Sequence, residues 1–335
     1  MTDISSKHFP TFRASLPSMD GKTVVITGTT SGTGKVAANT MAELGAKVLM
    51  LNRASGRSTA AFAELCAAHP DADLHAVECD LQSFDSVRGA TTQVAELCPK
   101  GIDVLANNAG VMALADTATV DGYDIQMQTN HLSHFLLTRE LMPLLKRAAD
   151  EHGEARVANH SSIARLSPSK KLHAEHLGKN GGKLGGNGSK IQNIMFTGPR
   201  WLRYNQTKLA NAAFTAAFHH RLQANDSKVK ALVAHPGLAN THLQQTSVAE
   251  GGMGSLFTNI MMRFSQSPED GTIGLLSCMC LPDAQSGQFY GPGSSTTAIR
   301  GKAEPFALES FYDNDATRDL LWNKSEAAIG ASFEI

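Results

Sequence analysis

The sequence predicts an α/β protein built on one doubly wound parallel sheet of about seven strands, with helices on both faces and one enlarged loop over a substrate site. Two observations carry this expectation. From Thr23 onward, short β-branched or apolar runs alternate without a break with amphipathic stretches of helical length, and strict βα alternation implies parallel strands joined by crossover helices. The first of those strands also runs directly into a glycine-rich turn that opens a helix. A continuous alternation argues for one domain, 21–335, behind an N-terminal extension, 1–20.

The strands expected in order are Thr23–Thr27, Lys47–Leu51, Leu74–Glu78, Ile102–Ala106, Arg156–His160 and Val229–Ala234, with a last one near Gln288–Tyr290. Crossover helices are expected over 33–45, 56–69, 83–98, 121–150 and 203–224. Two stretches break the rhythm. Residues 165–202 contain a run, 178–190, with too much Gly and too little apolar content for a core element. Residues 238–267 are rich in Met and Gly. Both are expected to cover the mouth of the sheet.

Composition narrows the function classes. The chain has 335 residues, 30 Lys+Arg against 31 Asp+Glu, and 42% hydrophobic residues. That is enough apolar content for a packed core, and the neutral balance lacks the basic excess that a nucleic-acid partner requires. Five scattered cysteines suit a reducing compartment, so a cytoplasmic setting is expected. Cys278 and Cys280 are expected on a buried helix. No signal-peptide pattern opens the chain and no run of 18 apolar residues occurs, so no membrane span is expected.

The glycine turn reads Thr27-Gly-Thr-Thr-Ser-Gly-Thr-Gly34. Gly28 allows the tight turn, Gly32 the approach of a pyrophosphate, and Gly34 close packing of helix on strand. With Thr30, Ser31 and Thr33 they form a phosphate cradle at a helix N-terminus. After the second strand stand Asn52, Arg53 and Arg57, with no carboxylate to repel a 2′-phosphate; this favours NADP(H) over NAD(H). Asp80 and Leu81 are placed for an adenine, and Asn107, Asn108, Ala109 and Gly110 for a polar turn over the ribose.

Four ordered motifs complete the pattern: the glycine turn, Asn107–Gly110, Tyr204-Asn-Gln-Thr-Lys208, and Pro236-Gly237 with Thr241. Over about residues 20–295 the chain resembles the short-chain dehydrogenase/reductase superfamily. Asn108–Met112 followed by Asn130–Leu137 is similar in particular to its retinol-dehydrogenase and WW-domain-oxidoreductase-like branch. The resemblance implies a Rossmann-type fold, with Pro236, Gly237 and Thr241 also on the cofactor.

Tyr204 and Lys208 lie one helical turn apart and so face one site. An ammonium beside the phenol, together with an oxidised nicotinamide, is expected to lower the phenol pKa, so that Tyr204 exchanges a proton while hydride passes. Lys208, by the resemblance, also binds the nicotinamide ribose. Ser162, at the carboxyl end of the fifth strand, can donate to an oxyanion. Ser161 is the alternative, and the family pattern favours Ser162. Asn130, by the same resemblance, holds a water in a proton relay.

Three departures from the family pattern stand out. His160 occupies a usually aliphatic position and is expected to be a core histidine. His131 and His134 have metal-pair spacing but no third ligand, so no metal is expected. Ser162 and Tyr204 are 42 positions apart, which places an insertion beside the site. Trp201 and Phe196 are expected to line one side of the pocket. A stripe including Met253, Phe257 and Met261 forms a lid on the other, or alternatively a core or dimer contact.

The reading is an NADP(H)-dependent oxidoreductase that interconverts a carbonyl and an alcohol on a bulky apolar small molecule. The alternatives are a C=C reductase, as in relatives acting on tetrapyrroles, and a silent NADP(H)-sensing or scaffold protein. A homodimer is expected to pair helices 121–150 and 203–224 across a two-fold axis.

Overall fold

The computed structural model describes residues 5–166, 169–239, 247–248, 251–253, 265–293 and 298–335. Among the described residues eight strands form one sheet: β1 (Thr23–Thr27), β2 (Lys47–Asn52), β3 (Leu74–Glu78), β4 (Val104–Asn107), β5 (Ala155–His160), β6 (Val229–Ala234), β7 (Gln288–Pro292) and β8 (Ala303–Ala307). Their order is β3-β2-β1-β4-β5-β6-β7-β8. All neighbours through β7 run parallel, and β8 turns back antiparallel on β7. The order reverses between β1 and β4, which opens a crevice at their carboxyl ends.

The expectation of about seven strands misses β8. Its sequence, Ala-Glu-Pro-Phe-Ala, carries neither alternation nor β-branching, and Pro305 is tolerated because the strand is an edge.

Helices cover both faces. On one side α4 (Phe84–Leu97), α6 (Ser133–His152) and α8 (Pro199–Ala224) bury Val87, Leu136, Phe214 and Phe218. On the other, α2 (Gly32–Glu43) and α9 (Pro268–Cys280) bury Met41 and Met279, while α3 (Gly56–Ala68) adds Leu65. Cys278 and Cys280 lie in this second layer as free thiols, and burial pushes both pKa values up. Ahead of α6, a short α5 (Ile125–Met127) continues through a π-helical turn, Gln128–Leu132.

The N-terminal residues join the second layer. Phe9 and Phe12 of α1 (Phe9–Ala14) pack against it. The backbone N–H groups of Lys7, His8 and Phe9 donate to the Asp270 carboxylate at 2.8–2.9 Å. Among the described residues no helix is long and apolar enough to cross a membrane.

At the other end, α10 (Asp315–Ile329) and the residues after it sit on α6 and α8, the helices expected to pair in a dimer. Trp322 meets Phe135 edge-on at 5.1 Å and stacks on Phe218 at 6.4 Å, and Phe333 closes the cluster 5.4 Å from Phe135. Truncating this buried indole should cost about 3–5 kcal/mol. Trp322→Ala should therefore lower the urea midpoint with little change in slope; an unaltered midpoint would show that α10 adds nothing to the core.

Candidate active site

The cradle at the end of β1 is fixed by contact between backbones. Gly28 has φ +72°, and a Cβ on it would stand 2.8 Å from Ala109 Cα; one on Gly34 would stand 2.2 Å from the Gly28 carbonyl oxygen. Only glycine lets α2 sit this close to the turn. Asn108 then joins the parts. Its Nδ2 donates to the Thr27 and Gly28 carbonyls (2.9 and 3.1 Å), while its Oδ1 accepts from Thr33 Oγ1 (2.9 Å) and His160 Nδ1 (2.8 Å). The backbone N–H groups of Asn108 and Ala109 both donate to Thr27 Oγ1 at 3.0 Å.

Asn52 is consumed by the same loop: it accepts from the Thr29 N–H and donates to Thr29 Oγ1. Arg53 and Arg57 are exposed at the rim of the cleft and have no ion pair among the described residues. Asp80 and Leu81 line the adjacent wall, with the Asp80 carboxylate accepting the Gln82 N–H. Asn107 departs from its expected place over a ribose. As the last residue of β4 it points into the core, where its Nδ2 donates to Thr138 and Asn159 at 3.0 and 2.9 Å.

One cleft of about 600 Å³ connects this cradle to Ser162, Tyr204 and Lys208. The two serines that follow β5 both line the cleft but differ in their partners. The Ser161 hydroxyl is buried and donates to the Lys208 carbonyl at 2.6 Å, whereas Ser162 hydrogen-bonds Tyr204. Lys208 Nζ donates to the His160 carbonyl at 3.0 Å and lies 5.9 Å from the Tyr204 ring centroid.

Burial dominates the electrostatics of this trio. It pushes the Tyr204 phenol up to about 12, against the hydrogen bond from Ser162, and pulls the Lys208 ammonium down to about 8. The expected lowering of the phenol pKa by the lysine is therefore not met by the protein alone, because both groups have left water.

Asn130 lies in the π-helical turn and is fully buried. Its side chain exchanges hydrogen bonds with the Val111 N–H and carbonyl (2.7 and 2.9 Å) and donates to Thr207 Oγ1 (2.9 Å). Its carbonyl accepts from His134 Nδ1 at 3.0 Å. His131 instead meets Ser325 at 2.8 Å, so the two histidines diverge, and no cluster of metal ligands occurs among the described residues. His160 is kept neutral by burial and by the Lys208 charge, its pKa pulled down to about 3.

At the far end of the cleft Phe196 and Trp201 meet edge-on at 4.6 Å, with Trp201 5.9 Å from Tyr204. The Trp201 indole N–H donates to the Asn193 and Gly252 carbonyls. Met112 and Met253 complete this apolar wall. Pro236 and Gly237 line the cleft, while Thr241, Phe257, Met261 and most of the expected lid lie outside the described residues.

The insertion, which carries the short α7 (Lys190–Ile194), folds down onto α8. Arg203, without solvent exposure, donates to the carbonyls of Leu184, Gly186 and Leu114 and faces the carboxylates of Asp116 and Asp124 at 3.7 and 3.1 Å. Thr129, His160 and Ile299 also line the cleft and were not assigned to the site from sequence. Ile299 has no local signal, since the β7–β8 connection brings it there.

Comparison with known proteins identifies the family. A family profile described as short chain dehydrogenase matches residues 22–174. Retinol dehydrogenase 14 of Mus musculus is 32% identical over 324 residues, covering 93% of this chain and 87% of the relative. The chain belongs to the short-chain dehydrogenase/reductase family.

Its similarity to the retinol dehydrogenases places it in their branch of that oxidoreductase family. A solved uncharacterised protein from Mycobacterium paratuberculosis superposes on this short-chain dehydrogenase/reductase with a TM-score of 0.71 at 29% identity, over 99% of this chain and all of that one. The RhlG/NADP complex of Pseudomonas aeruginosa shares the fold: its TM-score is 0.61 at 21% identity, over 84% of this chain and 98% of that one.

The depressed Lys208 pKa has a sign that can be checked. Between about 8 and the ordinary 10.5 the unfolded chain binds more protons, so this group's contribution is present above 10.5 and lost as pH falls through 8. Lys208→Met removes that loss. Without nucleotide, the wild type should gain about 2 kcal/mol on the variant between pH 7 and pH 10 in urea unfolding. A constant difference would mean that Lys208 keeps an ordinary pKa in the fold.

Proposed function

We propose that the chain is an NADP(H)-dependent oxidoreductase that interconverts a carbonyl and an alcohol, with Tyr204 as general acid and base. One observation carries the reading: the Tyr204 phenol, the Ser162 hydroxyl and the Lys208 ammonium share a single cleft with the glycine cradle.

The residues present fit a phosphorylated dinucleotide. A Cβ at Gly28 or Gly34 would occupy backbone contacts, the N-terminus of α2 offers free N–H groups, and Arg53 and Arg57 stand unpaired at the rim where a 2′-phosphate would sit. When bound, the nicotinamide supplies or accepts the hydride.

For the protein's part, Ser162 donates to the substrate oxygen and stabilises its developing charge. Tyr204, protonated at neutral pH in the free protein, gives its proton to that oxygen during reduction. During oxidation it must first lose that proton, which the positive charges of Lys208 and of the oxidised coenzyme favour. Lys208 is anchored by the His160 carbonyl and reaches toward the ribose side. Asn130 holds the Val111 backbone and Thr207, so that α8 and the Asn108–Gly110 turn keep their spacing. The wall of Phe196, Trp201, Met112 and Met253 suits a bulky apolar substrate, in keeping with the name of the retinol dehydrogenase relatives.

Two substitutions test the reading. Tyr204→Phe should abolish turnover of every carbonyl the wild type reduces and leave NADPH affinity within about twofold; turnover that survives would refute the assignment. Arg53→Asp should shift the ratio of kcat/KM for NADPH over NADH by about 10-fold or more toward NADH, the worth of one charge-assisted hydrogen bond. An unchanged ratio would place the phosphate elsewhere.

A further inference from the structure

We propose that Arg165 is a positioning residue for the Ser162 hydroxyl, and that Glu309, supplied by the C-terminal segment, holds Arg165 in place. The inference rests on the functional reading of Ser162 and Tyr204 above.

Arg165 has no solvent exposure, although it lies at the start of the stretch that the sequence marks as an insertion. The Ser162 carbonyl accepts from it twice, from the backbone N–H at 3.1 Å and from Nη1 at 3.2 Å. These two bonds fix the peptide plane that follows Ser162, and so the base from which its side chain projects. The Ser162 Oγ in turn accepts the Ala164 N–H at 3.2 Å and meets Tyr204.

The guanidinium is itself held on two sides. Its Nε donates to Glu309 Oε2 at 2.7 Å. Its carbon lies 4.3 Å over the Phe289 ring of β7, which stacks at 4.7 Å on Phe306 of β8. A lysine could not fill this place, because its ammonium has neither the planar face nor the fork. Glu309 lies two residues beyond β8, so the antiparallel edge strand delivers a half-buried counter-charge to the residue that fixes Ser162. The C-terminal segment therefore acts on the site without touching substrate.

A purely structural ion pair and a positioning device predict different outcomes once stability is restored. Arg165→Met alone leaves Glu309 without its partner and should destabilise the fold. Arg165→Met/Glu309→Leu replaces the pair by apolar volume and should return the unfolding midpoint close to wild type. Positioning is then read from the Tyr204 resonance in protein labelled with ¹³Cζ-tyrosine, where only four tyrosines contribute and Tyr204→Phe assigns the signal.

The double variant should show a displaced Tyr204 resonance and, on a carbonyl that the wild type reduces, a kcat lower by about 10- to 100-fold with KM for NADPH unchanged. A stable double variant with the wild-type resonance and kcat overturns the inference. If it does not fold, Glu309→Gln keeps the volume and an acceptor but removes the charge: a smaller displacement of the same resonance supports positioning, and none overturns it. Turnover surviving in Tyr204→Phe would instead overturn the functional reading, so the two failures are told apart.

Discussion

The side chain of Asn108 is the joint on which the site depends. It follows β4, yet its amide donates to the end of β1 and its carbonyl oxygen accepts from α2 and from β5. Four separate elements are thereby held at hydrogen-bond distance across the crevice where the strand order reverses. The glycines only permit the approach of α2 to the turn. Asn108 makes that approach specific, because each of its polar atoms has a fixed partner and a slipped arrangement would leave them buried and unpaired.

Behind that joint, burial sets the chemistry. Tyr204 and Lys208 stand on one face of α8, but both are out of water, and desolvation moves each toward its neutral form. The free protein thus holds Tyr204 as the neutral phenol. His160 and His134 are likewise neutral through burial, and each spends a ring nitrogen on holding its neighbours, His160 on Asn108 and His134 on the Asn130 carbonyl.

Two buried guanidiniums tie the additions to the sheet. Arg203 gathers the glycine-rich insertion onto α8 one residue before Tyr204, and Arg165 links the loop after Ser162 to the segment beyond β8. In each case a charge with no exposure meets a carboxylate contributed from a distant stretch of chain. Such partnerships leave no periodic trace in sequence, so Arg165 and Arg203 look like ordinary polar residues until the fold brings Glu309, Asp116 and Asp124 to them.

The sequence by itself determined the strands β1 to β6 closely, the glycine cradle and the Tyr204/Lys208 pair, because each follows from periodicity or from spacing within one element. It placed Asn107 on the cleft wrongly, since the last residue of a strand points either way until its neighbours are known. Tertiary structure alone decided the bond that ties Ser161 to the Lys208 carbonyl, the upward shift of the Tyr204 pKa, the eighth strand, and the delivery of Ile299 to the cleft and of Glu309 to Arg165. These depend on burial and on contacts between residues far apart in the chain, which local pattern does not encode.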